Sequence, residues 1–147
     1  MPVGDSGVHE APGLTLVKVV VNDNGGTAVP ADWTLTATGT SGFSGNGASV
    51  TSADGFVPGI YDLSESGPEG YAASAWVCTG GTQNDDDTVT VALGETVTCT
   101  ISNDDIEPSL TLVKSVTNDN GGTAASTDWT LIAAGWDAAS PTAGTYA

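Results

Sequence analysis

The sequence has no arginine, two lysines and one histidine among its 147 residues. Against Lys18, Lys114 and His9 stand eighteen Asp and Glu side chains, which give a formal net charge of −16. Such a surface repels phosphate backbones and so excludes nucleic acid as a partner. It repels anionic membrane surfaces for the same reason. No apolar run is long enough to span a bilayer, so no direct membrane insertion is expected. The opening MPVGDSGVHEAPG has neither the basic nor the apolar region of a secretory signal and reads as a flexible leader over residues 1–13. The closing SPTAGTYA offers no anchor and stops in mid-pattern, so the expectation is a piece of a larger protein.

The same scarcity limits catalysis. His9 stands alone in the leader with no nucleophile motif around it, and a Ser-His-Asp or zinc site needs more than that. Carboxylates are plentiful, but no paired arrangement of the kind used in glycoside hydrolysis stands out. No enzyme acting on an external substrate is expected. Cysteine is nearly absent too: Cys78 and Cys99 form no CxxC pair and have no histidine nearby to complete a zinc site. In a Thr-rich, Lys-poor β-like chain the two read first as one disulfide of an oxidising compartment. Two buried free thiols are the alternative.

What is present is a repeat. LTLVKVVVNDNGGT starts at Leu14, and LTLVKSVTNDNGGT starts 96 residues later at Leu110. One complete unit therefore spans 14–105, residues 106–109 join it to the second copy, and 110–147 is a truncated second repeat. Within the complete unit, short alternating runs are separated by Gly, Asn, Asp and Pro clusters, the pattern of an all-β sandwich. Strands are expected near Leu14–Val21, Trp33–Thr38, Gly59–Ser64, Tyr71–Cys78, Thr88–Ala92 and Thr96–Asn103. Turns are expected at NDNGG, GPEGY, GGTQNDDD and LGE. About ninety residues of this kind is the size of an immunoglobulin-like module.

Alternate residues of a strand share a face. Leu14, Leu16, Lys18 and Val20 then share one face of the first strand; Val97, Cys99, Ile101 and Asn103 share one of the last; Tyr61, Leu63 and Glu65 share one of the strand between. Three polar groups, Lys18, Glu65 and Asn103, thus sit on core-facing registers. A lone buried ammonium or carboxylate costs several kcal/mol or more, so such groups are exposed, paired or neutralised. Trp76 and Cys78 share a phase, and Cys99 points inward from the last strand, so a bridge between neighbouring strands would contribute roughly 3 kcal/mol.

The strings LTLVK, YDLSESGPEGY and TCTISNDD together resemble the collagen-adhesin B-type (CnaB-like, SpaA-like) repeats of bacterial surface proteins, which have a prealbumin-like fold. The resemblance covers the complete unit and the opening of the second copy. It implies a spontaneous isopeptide bond, with Lys18 as nucleophile, Asn103 as the electrophile that loses ammonia, and Glu65 as proton shuttle. An apolar site lowers a lysine's pKa and raises a carboxyl's, so both can be neutral there. Asp104 and Asp105 follow Asn103 and would offer a carboxylate after a register slip, and Glu69 is a nearby substitute for Glu65. Lys114 has no counterpart of Glu65 or Asn103 within the second copy. Half a sandwich leaves its apolar faces uncovered, so that copy is expected to be disordered, packed on the first unit, or paired with another chain.

The expected function is a structural stalk or spacer module at a bacterial cell surface or in a secreted adhesin-like protein, contacting neighbouring repeats of its own chain. A host or surface ligand is left unidentified. The alternative is a calcium- or ligand-binding sandwich without the cross-link. For calcium, NDNGG and SNDD supply Asp23, Asp104, Asp105 and, in the second copy, Asp119 as candidate ligands. No cofactor is otherwise expected. The EF-hand spacing is absent, and Asn-Gly is first of all a type I′ turn signature.

Overall fold

The computed structural model describes residues 11–135. His9 and most of the leader, together with residues 136–147, lie outside the described residues. The chain divides into two compact units, Met1–Glu107 and Pro108–Ala147.

Among the described residues, the first unit has ten strands: β1 (Gly13–Val21), β2 (Thr34–Thr38), β3 (Phe43–Asn46), β4 (Ser49–Thr51), β5 (Gly59–Ser66), β6 (Tyr71–Ala73), β7 (Val77–Thr79), β8 (Thr82–Gln83), β9 (Thr88–Val91) and β10 (Thr96–Asp105). They form two sheets. In one, the order is β4-β1-β10-β6, with β7 also paired to β10; in the other it is β3-β2-β5-β9-β8. The inward faces meet in a core that includes Leu14, Leu16, Trp33, Leu35, Tyr61, Leu63, Val89, Val91, Val97, Cys99 and Ile101. The runs of Val, Thr and Ile that make up β1, β9 and β10 suit a pleated, half-buried surface.

The pairing of β1 with β10 is parallel, running from Gly13 opposite Thr96 to Val21 opposite Asp104. Parallel neighbours cannot be joined by a tight hairpin. Here they are the first and last strands of the unit, so nearly the whole fold lies between them in sequence.

Several expectations need correction. The stretch expected as one strand over Tyr71–Cys78 is two, because Ser74 N–H bonds Ser102 and Trp76 N–H bonds Asp86, which bends the chain between β6 and β7. The Gly- and Ser-rich segments that form β3, β4 and β8 carry too little apolar alternation to read as strands. NDNGG does not close a type I′ hairpin. That turn needs positive φ at both central residues, and among the described residues only glycines have it, Gly25 at 97°. The chain instead crosses to the other sheet through a 3₁₀ turn, Pro30–Asp32.

In the second unit, residues 110–117 repeat the β1 sequence but pair with nothing among the described residues and form no strand. A strand is defined by its hydrogen-bonded neighbour. Leu110, Val113 and Ile132 are exposed there.

Candidate functional site

Lys18 occupies the third inward position of β1, after Leu14 and Leu16, and is only 3% exposed. Its Nζ donates to Oε2 of Glu65 at 2.5 Å, and this ion pair crosses from one sheet to the other. Glu65 reaches the site from the inward face of β5, opposite Leu35 in the pairing with β2. The ammonium also lies 4.3 Å from the centroid of the Trp33 ring. Burial pushes the Lys18 pKa below its ordinary value, against the hydrogen bond and charge of Glu65, which pull it up. The cause is desolvation of the charged form.

Asn103 comes from β10. It sits opposite Val20 of β1, while Lys18 sits opposite Ile101. Residues directly across a sheet point to the same side, so Lys18 and Asn103 are diagonal neighbours on the inner face, their Cα atoms roughly 8 Å apart by sheet geometry. Asn103 is 4% exposed. Its side-chain oxygen is buried and has no hydrogen-bond partner among the described residues. Leaving such an acceptor unpaired costs about 1–3 kcal/mol, and in a native fold it calls for an explanation. The competing groups are elsewhere, since Asp104 and Glu69 are both exposed.

Two residues further along β10, Asp105 is 6% exposed. Its carboxylate accepts from the backbone N–H groups of Asp23 at 3.0 Å, Asn24 at 2.9 Å and Gly26 at 2.6 Å. Asn24 Nδ2 adds a bond to the Asp105 carbonyl at 3.0 Å. Successive backbone N–H groups curled in this way form an anion-binding nest. Burial alone would raise the Asp105 pKa; the N–H donors of Gly26, Asn24 and Asp23 outweigh it and hold the carboxyl below its ordinary range. Asp23 is raised, first by its contact with the Asp105 carboxyl. Tyr71 closes the nest, donating to Asn22 Oδ1 at 2.6 Å and accepting from Ala28 N–H at 3.0 Å.

Of the candidate calcium ligands, Asp23, Asp104 and Asp105 can each bring one carboxylate oxygen within 4.8 Å of the others. Both oxygens of Asp105, however, already accept from backbone N–H groups. Asp119 belongs to the second unit, where it accepts from Asn120 Nδ2 at 3.1 Å. Sequence reasoning treated Asp105 as a calcium candidate or a register alternative and missed the clasp. The signature was there: the period of two that places Asn103 inward also places Asp105 inward, facing a Gly-rich loop.

Cys78 and Cys99 are directly opposite in the β7–β10 pairing and are joined as a disulfide. The second unit reproduces the local geometry of the first. Lys114 Nζ lies 4.3 Å from the Trp129 ring centroid, and Asn118 Nδ2 bonds the Ala124 carbonyl at 2.8 Å, as Asn22 bonds Ala28 at 2.9 Å.

Two facing sheets, with the first and last strands paired in parallel and a lysine, a carboxylate and an asparagine on their inner faces, define a prealbumin-like β-sandwich. A family model for the prealbumin-like fold domain, of SpaA type, matches residues 9–101 and again residues 105–147. The chain belongs to that family. No curated protein and no solved structure matches it.

Proposed function

We propose that this chain is a structural spacer from a bacterial cell-surface or secreted adhesin-like protein, and that its first unit locks itself with an isopeptide bond between Lys18 and Asn103. The observation that carries this reading is the buried lysine, held by Glu65, on the same face as an asparagine whose oxygen has no partner among the described residues. A lysine with a depressed pKa can give up its proton to Glu65 and become a nucleophile. The neutral Nζ attacks Cγ of Asn103. Protonated Glu65 polarises the carbonyl and passes its proton to Nδ2, and its carboxylate then takes the second proton that Nζ loses as the amide forms. The Cγ–Nδ2 bond breaks, ammonia leaves, and the Nζ–Cγ amide remains. Confinement on one face makes the step intramolecular. No electron changes hands and no external substrate is needed. The product also removes the buried charge that would otherwise burden the core.

A module tied from first strand to last suits a spacer between neighbouring repeats, and the Cys78–Cys99 disulfide supports reading it as a protein of an oxidising, extracellular setting. The test is peptide mapping after cleavage at acidic residues. A branched peptide joining the Lys18 segment to the Asn103 segment is expected; the two segments recovered as separate linear peptides would refute the reading. The calcium-binding alternative rests on the Asp23, Asp104 and Asp105 cluster. It predicts a rise in melting temperature with added calcium that Asp104→Asn abolishes.

A further inference from the structure

The cross-link demands one register between β1 and β10, and the apolar pattern of these strands does not supply it. A slip of one residue would turn every inward side chain outward. A slip of two keeps inside and outside intact, because Leu14, Leu16 and Lys18 on one strand and Val97, Cys99 and Ile101 on the other repeat with a period of two. Such a slip costs little in hydrophobic burial and takes Asn103 off its diagonal to Lys18, to a place either directly opposite it or four residues along the strand. No hairpin fixes the pair, since the strands are parallel. The disulfide does not fix it either, because it ties β10 to β7 rather than to β1.

We propose that Asp105 is a positioning residue for the cross-link: held by the backbone nest of Asp23, Asn24 and Gly26, it pins β10 to the end of β1 in the register that presents Asn103 to Lys18. The inference rests on the cross-linking reading above. The nest follows directly after Val21, the last residue of β1, and Asp105 is the last residue of β10. The clasp therefore joins the two strands at one end, two residues from Asn103. Its fit is tight: a Cβ on Gly26 would lie 2.8 Å from Asp105 Oδ2 and 2.5 Å from Tyr71 Oη.

The second unit supplies an independent observation. Asn118–Gly122 keeps the local side-chain bonds of Asn22–Gly26, Asn118 to Ala124 and Asn120 to Asp119 as Asn22 to Ala28 and Asn24 to Asp23, and Gly121 has φ of 91° where Gly25 has 97°. The loop is thus shaped by its own sequence. In the first unit Asp105 docks into a receptor that its own strand does not have to build, and the docking chooses the register.

The experiment follows the cross-linked fraction with time after a short expression pulse, by intact mass of reduced, denatured protein. Wild type is compared with Asp105→Ala, Asp105→Asn and the core variant Val91→Ala, with the rate read on the folded fraction of each. A misplacement of about 1 Å can cost on the order of 10²-fold in such a reaction, and a slowing of that order is expected for Asp105→Ala. Asp105→Asn, which keeps one oxygen acceptor and the side-chain volume, falls between Asp105→Ala and wild type. Val91→Ala is destabilised but reacts at the wild-type rate. If folded Asp105→Ala reacts as fast as wild type, or slows no more than Val91→Ala, the positioning role is overturned. Wild type at full mass would instead overturn the cross-link itself, which separates the two failures.

Discussion

Lys18 and Glu65 meet at 2.5 Å from opposite sheets, with the lysine side chain fully buried and the glutamate side chain 12% exposed. A pair this dry is weak evidence for stability, because desolvation offsets much of the attraction, whereas removing one partner leaves an uncompensated charge. As the source of a nucleophile and a proton carrier, the same pair has a clear use.

The first prediction concerns Glu65. Glu65→Gln is expected to show no ammonia loss and to leave Lys18 buried without its counter-charge. It should be less stable than the double variant Lys18→Met, Glu65→Gln by about 3 kcal/mol, the range for breaking one side of a buried pair. Equilibrium denaturation of the two variants checks this. Equal stability would mean that Lys18 reaches water when Glu65 is lost.

Much of this site is legible in the sequence. The period of two in β10 gives Cys99, Ile101 and Asn103 one face, and β5 gives Tyr61, Leu63 and Glu65 another; the structure places these side chains inward. β1 is harder, since its valines are apolar on both faces, and only the structure separates half-exposed Val19 and Val21 from buried Lys18. What the sequence conceals is tertiary. β3 and β4 are held by their neighbours rather than by their own propensity. The loop at Asn22–Gly26 looks like a hairpin turn until Asp105, far away in sequence, arrives to occupy it. Local periodicity carries information about faces but not about which distant carboxylate fills a nest.

The second prediction is a pH dependence. In Asn103→Ala, Lys18 remains a free amine whose folded pKa lies below its ordinary 10.5. The unfolded chain then binds the proton more tightly, so the burial penalty is full below the folded pKa and is relieved as pH rises from there towards the unfolded value. Asn103→Ala should therefore gain stability on going from neutral to alkaline pH, up to that unfolded value. Reacted wild type has no such titrating group and should lack this gain. Denaturant midpoints across this range decide, and a flat or falling curve for Asn103→Ala would contradict the assignment.

A third prediction separates the two covalent ties. The double variant Cys78→Ala, Cys99→Ala should still form the isopeptide, because the disulfide joins β10 to β7 and not to β1. In a Lys18→Ala background, loss of the disulfide should cost roughly 3 kcal/mol from the entropy of its loop. Thermal denaturation with and without reductant measures it.

The fourth concerns Gly26. A methyl group there would meet Tyr71 Oη at 2.5 Å, Asn22 Oδ1 at 2.7 Å and Asp105 Oδ2 at 2.8 Å. Gly26→Ala is expected to cost about 1–3 kcal/mol, as overpacking does elsewhere. Gly13→Ala, whose nearest contact would be Ser52 Oγ at 3.9 Å, should stay within about 0.5 kcal/mol of wild type. Chemical denaturation of both variants tests the contrast.

The most direct measurement is the intact mass of the reduced, denatured protein beside a Lys18→Ala variant. The account predicts a wild-type mass short by one ammonia and a Lys18→Ala mass equal to that calculated from its sequence. Full calculated mass in both would contradict it, and the Lys18–Glu65 pair would then be a buried ion pair in a sandwich held by its disulfide and the Asp105 clasp.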